Sequence, residues 1–407
     1  MKNKILITLC LFFGIITNAQ SLQDYLNIAE KNSLELQSKY YRYQSTLEKI
    51  NEVGSLPNTT IGLGYFVQET ETRVGAQKAK ISISQMVPWF GTLSAKKEST
   101  SYLAKAQLNT INLAKRKLFL EVKTSYYELY ELKATETILN EHISILKTYE
   151  KLALSELENN KSTMVDVLKI KMEMNEVSNN LFFISENLNT KKNTFNLLLN
   201  RNEDSNITII DTILITENDD LLDKYLLHEN PKLLQLDNLK KSLIQSEIAS
   251  KKESLPTIAM GLDYLFVENR PLEGILDNGK DIIMPMVSLS IPLFSKKYSS
   301  KQKQLQLEQK EINTTKSNVT NKLLTLFENT MANLKNAKAS IKTQTENTYQ
   351  ANQAKKVLLV AYQTSKIDFK QLLEIQQLKL KFQLKKITSE KEYAIQKATL
   401  EFLTTNN

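Results

Sequence analysis

The sequence predicts a mainly α-helical protein with a membrane β-barrel portion, built as a duplicated run of helix, two strands and a long helical hairpin. Three observations predict it. Glycine (9) and proline (7) are scarce in 407 residues, the usage of long helices with few turns. One order of features occurs twice along the chain. Four short stretches alternate apolar residues with small or polar ones.

The chain opens on Lys2 and Lys4, then an apolar run from Ile5 to Ile16. Thr17-Asn18-Ala19 follows, with small residues where a leader is cut. Residues 1–19 are therefore expected to be a secretory signal peptide, with the mature chain starting at Gln20 or Ser21. The apolar run falls short of the ~20 residues a spanning helix needs. The single cysteine, Cys10, lies inside it. The mature chain thus offers no disulfide, zinc thiolate or thiol nucleophile.

Leu22 to about Gly54 reads as helix, and Pro57 then starts a strand, where a missing N–H is tolerated. Strands are expected at 57–68 and 78–87. From Phe90 to about Glu158 the pattern is unbroken helix, about 100 Å long at 1.5 Å per residue. Val122, Tyr126, Leu129, Leu139, Ile143 and Leu146 form its coiled-coil-like seam. A polar turn follows at Asn159-Asn160-Lys161-Ser162-Thr163. Residues 20–200 make the first repeat. Arg201 to Asp220 breaks the helical pattern and is read as the crossover, with a short strand at Ile207-Thr208-Ile209-Ile210. Residues 221–407 make the second repeat. Its strands are expected at 256–267 and 282–292, its long helix from Phe294 to Tyr362, and its turn at Thr364-Ser365-Lys366. Phe369, Leu373, Leu380, Leu384, Ile387 and Ala394 carry the second seam. Ser55-Leu56-Pro57 answers Ser254-Leu255-Pro256, and Lys161 to Ile170 answers Lys366 to Ile375.

Ile61, Leu63, Tyr65 and Val67 alternate with Thr60, Gly62, Gly64 and Phe66. Met260, Leu262, Tyr264 and Phe266 alternate with Ala259, Gly261, Asp263 and Leu265. A half-buried soluble sheet shows the same alternation. The leader and the helical context select a barrel wall instead. No later stretch has 18 consecutive apolar residues, so an exported chain would cross a membrane only as a closed barrel. Four strands do not close one, since about eight or more are needed. Several copies must share it. Asp263 is expected to face water inside. Trp89, Phe90 and Phe294 suit an aromatic belt at the membrane interface.

The net charge of +8 comes from interspersed signs, so nucleic acid is not an expected partner. His142 and His228 have no metal-ligand partner at i+4, and no catalytic constellation or phosphate loop is present. No enzyme activity, cofactor or metal is expected.

The paired Ser-Leu-Pro strand starts, the run Ile83-Ser84-Gln85-Met86-Val87-Pro88-Trp89-Phe90-Gly91 and the two long hairpins resemble the TolC-like outer-membrane efflux family. The resemblance covers essentially the whole mature chain. Its Pro-Trp-Phe-Gly wording is similar to members that serve heavy-metal or cation pumps. The resemblance implies a homotrimer with a twelve-stranded barrel in the outer membrane and a periplasmic α-helical barrel. It implies an RND-type inner-membrane pump and a periplasmic adaptor as partners. Gate residues carried over are Asp166, Tyr362 and Glu374. Gln371 stands where a further carboxylate is expected, and Asp368 is its candidate substitute. Asn160, Lys161, Ser162, Ser365 and Lys366 fall at the turns that would dock the adaptor. The reading is a passive exit duct for drugs, metal cations or other solutes. The alternative is a structural periplasmic coiled-coil or adaptor protein.

Overall fold

A computed structural model describes residues 21–159, 162–216, 224–271, 273–274, 276–294, 296–364 and 367–404. The expected signal peptide and the turn residues Asn160, Lys161, Ser365 and Lys366 lie outside the described residues. The chain runs α1 (Leu22–Asn32), α2 (Leu34–Gly54), β1 (Thr60–Thr72), β2 (Gly75–Val87), α3 (Thr92–Glu158) and α4 (Met164–Leu198). A short 3-10 turn (Lys224–Glu229) then leads to α5 (Pro231–Glu253), β3 (Thr257–Glu268), β4 (Ile282–Ser290), α6 (Lys296–Gln363) and α7 (Phe369–Thr404). The duplication is written in the lengths. α3 and α6 have 67 and 68 residues, and α4 and α7 have 35 and 36.

Three expected boundaries move. The first helix is two helices, because Ser33 is extended (φ −64°, ψ 113°) and its N–H caps α1 through the carbonyl of Ala29. β1 and β2 run on to Thr72 and back from Gly75. Gly75 turns with φ +136°, and a Cβ there would lie 1.9 Å from the carbonyl oxygen of Glu268, so only glycine fits. The expected strand around Ile207 does not form. The hydroxyl of Tyr25 accepts from the Thr208 N–H (2.8 Å), and that of Tyr126 accepts from the Ile210 N–H (3.0 Å). Side chains thus take the donors that a neighbouring strand would have taken.

The residues fall into two compact units. Neither coincides with a sequence repeat, because α3 and α6 contribute to both. One unit holds α1, residues 117–158 of α3, α4, the crossover, residues 329–363 of α6, and most of α7. Its described residues include two apolar clusters. Tyr25, Leu26, Val122, Tyr126, Leu129 and Phe195 make one. Leu146, Tyr149, Val167, Ile170, Phe369 and Leu372 make the other. Val122, Tyr126, Leu129, Leu146 and Phe369 are predicted seam positions, and residues of α1, α4 and α7 pack against them. Burial of such side chains contributes about 1.5–3 kcal/mol each.

The second unit holds α2, the sheet, the N-terminal parts of α3 and α6, and α5. The sheet order is β1-β2-β3-β4, antiparallel throughout. β1 and β4 are its edges. Helices here meet through small and polar side chains. Ser99 Oγ donates to the Ser242 carbonyl at 2.9 Å. Gln306 and Gln309 donate to Glu247 at 3.1 and 2.8 Å. Small residues let helix backbones approach closely, and each buried polar atom must then be paired. α2 buries no residue within the chain. Among the described residues no helix is long and apolar enough to cross a membrane.

Candidate functional site

The sheet sorts its side chains by face, as the pleat requires. Register pairs Leu63 with Ile81 and Ile83 with Leu262. Leu262 in turn faces Pro285, and Met260 faces Val287. One face therefore carries a continuous apolar band, and it is open. Leu63 is 80% exposed, Val67 94% and Val287 76%. So large an uncovered apolar surface marks a contact with lipid or another chain.

The other face is polar, small or mixed. Gly62 lies against Ser82, where a Cβ would meet Ser82 Oγ at 2.6 Å. Asp263 was expected to face water. It is instead fully buried (0% exposed) and ion-paired with Lys80. No further donor reaches its oxygens among the described residues. The reason is local. Asp263 pairs in register with Ser82, two residues along β2 from Lys80 and on the same face, and the long lysine stem folds over the short carboxylate. Phe90 and Phe294 follow β2 and β4 and are 76% and 90% exposed. Trp89 stacks edge-on against Phe90, with centroids 6.2 Å apart.

The expected gate residues lie at the helix ends of the first unit. Asp166 is in the first turn of α4. Its Oδ2 accepts from Thr163 N–H (3.2 Å) and Thr163 Oγ1 (2.7 Å), and Thr163 Oγ1 accepts from Asp166 N–H. That reciprocal pair is a capping box, and it accounts for an acid at this position without any gate. Tyr362 ends α6 and is buried, its ring edge-on to Phe369 at 5.5 Å. Phe369 meets Tyr149 at 5.7 Å in the same way. No hydrogen bond of sound geometry reaches Tyr362 Oη among the described residues. Burial pushes its phenol up, the nearby Ser162 hydroxyl opposes that, and the carboxylates of Glu156 and Asp166 add to it. Asp166 therefore reaches Tyr362 only through space.

Asp368 and Glu374 are exposed. Glu374 stands 3.7 Å from Lys370 on the wall of a cleft of about 470 Å³ between α4 and α7. Glu173 and Glu176 of α4 share that cleft. Sequence reasoning sought a second carboxylate within a few residues of Gln371 and missed these, which come from the other hairpin. Their spacing of three residues on one helix face was the available signal. Glu173 is held by Gln377, whose Nε2 donates at 2.6 Å. Ser162 is the one expected docking residue that is described. Among the described residues no cluster of three or more His, Cys, Asp or Glu side chains could hold a metal.

No family model matches this chain, and no curated protein matches it. Solved structures do. The outer membrane protein VceC from Vibrio cholerae is 15% identical, with a TM-score of 0.76 over 94% of this chain and 96% of that one. CusC, solved in a study of its folding and transmembrane channel formation, is 11% identical, with a TM-score of 0.78 over 95% and 92%. The CmeC outer membrane channel of Campylobacter jejuni is 11% identical, with a TM-score of 0.76 over 94% and 85%. At such identity the likeness is one of fold, and it spans nearly the full length of each chain.

Proposed function

We propose that this chain, which has the fold of outer-membrane efflux channels, is one protomer of such a channel in the outer membrane of a Gram-negative cell. The observation that carries the reading is the sheet. It has two open edges, an uncovered apolar band on one face and a buried ion pair on the other. A closed barrel resolves the open edges and the uncovered band together. β1 of one copy pairs with β4 of the next, the band meets lipid, and the charged face lines the lumen. Three copies give the twelve strands that the family resemblance implies. The four helices of the two hairpins then form the wall of a periplasmic tunnel.

The conduit is passive. A pump in the inner membrane supplies the energy, and an adaptor meets the helix turns around Ser162. Its cargo is small solutes, drugs or metal cations. The resemblance and the fold likeness support these partners.

The test is direct. Protein extracted from outer membranes in mild detergent is expected to show three times the protomer mass by light scattering. In a planar bilayer it should give discrete conductance steps. Recovery as a soluble monomer with no membrane association would overturn the reading.

A further inference from the structure

His142 lies on α3 and is 2% exposed. Three helices meet there. Gln376 of α7 places Nε2 3.1 Å from His142 Nδ1. Glu173 of α4 places a carboxylate oxygen 3.7 Å from His142 Nε2, too far for a hydrogen bond. His142 Nε2 and Gln376 Oε1 have no hydrogen-bond partner among the described residues. On α3 itself the positions three and four residues away are Ile138, Leu139, Ile145 and Leu146, all apolar. From α7, Lys379 also acts on the ring. From α6, Lys355 faces Lys379. The node therefore ties the first hairpin (α3, α4) to the second (α7) through one neutral imidazole.

We propose that His142 is a pH-sensitive latch between the two hairpins, closed while the ring is neutral and released when it takes a proton. The chemistry runs in one direction. In the neutral ring with its proton on Nε2, Nδ1 accepts from the Gln376 amide. Protonation turns Nδ1 into a second donor, so the present contact is lost unless the Gln376 amide turns over to offer its Oε1. The new charge sits at a buried site. Among the described residues Glu173 is the one acid that acts on the ring, and Gln377 already holds it. Lys379 has the same sign. Burial outweighs Glu173 and lowers the affinity of the ring for a proton. An opened hairpin would expose the ring and restore its ordinary value near 6.5. The open form thus binds more protons, and closure weakens as pH falls below that value. The latch itself rests on geometry within one chain. Its consequence for conduction, more frequent opening in acid, rests on the channel reading.

The chain has two histidines, so a histidine-labelled sample in detergent gives two NMR titration curves, and H142Q assigns them. His142 is expected to titrate below the ordinary value. Hydrogen exchange, corrected for intrinsic rate, then compares about pH 7.5 with about pH 5.5. Segments around residues 138–146 and 372–380 should exchange several-fold faster in acid, and H142Q should abolish that difference. If H142Q misfolds, E173Q serves instead: with less compensation, His142 should titrate lower still. The latch is overturned if His142 titrates at or above its ordinary value, or if exchange is unchanged by acid in the wild type. It is overturned too if H142Q keeps the acid response. Bilayer recordings separate the two readings. Conductance steps without acid-promoted opening count against the latch alone, and absent steps count against the channel alone.

Discussion

Tyr362 and Asp166, which the family resemblance places at a gate, each serve the fold in their own right. Asp166 is spent on the capping box of α4, and its loss is expected to cost about 1 kcal/mol of helix stability. Tyr362 contributes a ring packed on Phe369, and its hydroxyl has no hydrogen-bond partner among the described residues. Tyr362→Phe should therefore leave the unfolding midpoint in detergent nearly unchanged. Phe369→Ala, which removes the ring between Tyr149 and Tyr362, should cost about 3–5 kcal/mol. A large stability loss in Tyr362→Phe would show that its hydroxyl is paired after all. These positions were legible in sequence as residue types beside a turn. Their contacts were not, since Phe369 meets Tyr149 across a separation that no local pattern reports.

At the scale of elements, the helices were the legible part. Repeated spacing and scarce glycine placed α3 and α6 to within two residues at either end, because nothing in 67 or 68 residues competes with the helix. The break at Ser33 and the strandless crossover were not legible. Each depends on hydrogen bonds, to Ala29 and to the tyrosines Tyr25 and Tyr126, that the alternation of residues does not encode. The α5–α6 pairing offers an element-scale prediction. Glu247 is buried and accepts from Lys251, Gln306 and Gln309. These partners, Lys251 foremost, depress its carboxyl to about 2. A depressed acid stabilises the fold above its ordinary value of 4.5, and that contribution is lost as pH falls from there towards 2. Glu247→Gln should be less stable at neutral pH and should lack this part of the acid slope. Denaturant melts across that window read it, and an unchanged slope would show that the carboxylate has no such role.

For the whole molecule, the sheet carries the prediction. If the apolar band meets lipid, Leu63→Arg should cost about 2–4 kcal/mol at mid-membrane depth. Ser82→Arg, on the opposite face, should be tolerated far better for membrane assembly. Comparing the trimer fraction recovered from membranes for the two variants tests the assignment of faces, and equal losses would refute it. The sequence alternation left a soluble sheet equally open. What supports the barrel reading is that the band is uncovered on one chain and that the fold is like that of solved outer-membrane channels along nearly all of its length.

The unpaired edges of β1 and β4 also have a kinetic consequence. A lone copy entering hydrocarbon would carry two rows of bare N–H and C=O groups, each costing several kcal/mol. Insertion and association must then be a single event. If three copies share one barrel, its rate should climb steeply with the concentration of chain, and a defective copy should poison its neighbours, since one faulty edge would leave three chains without a barrel.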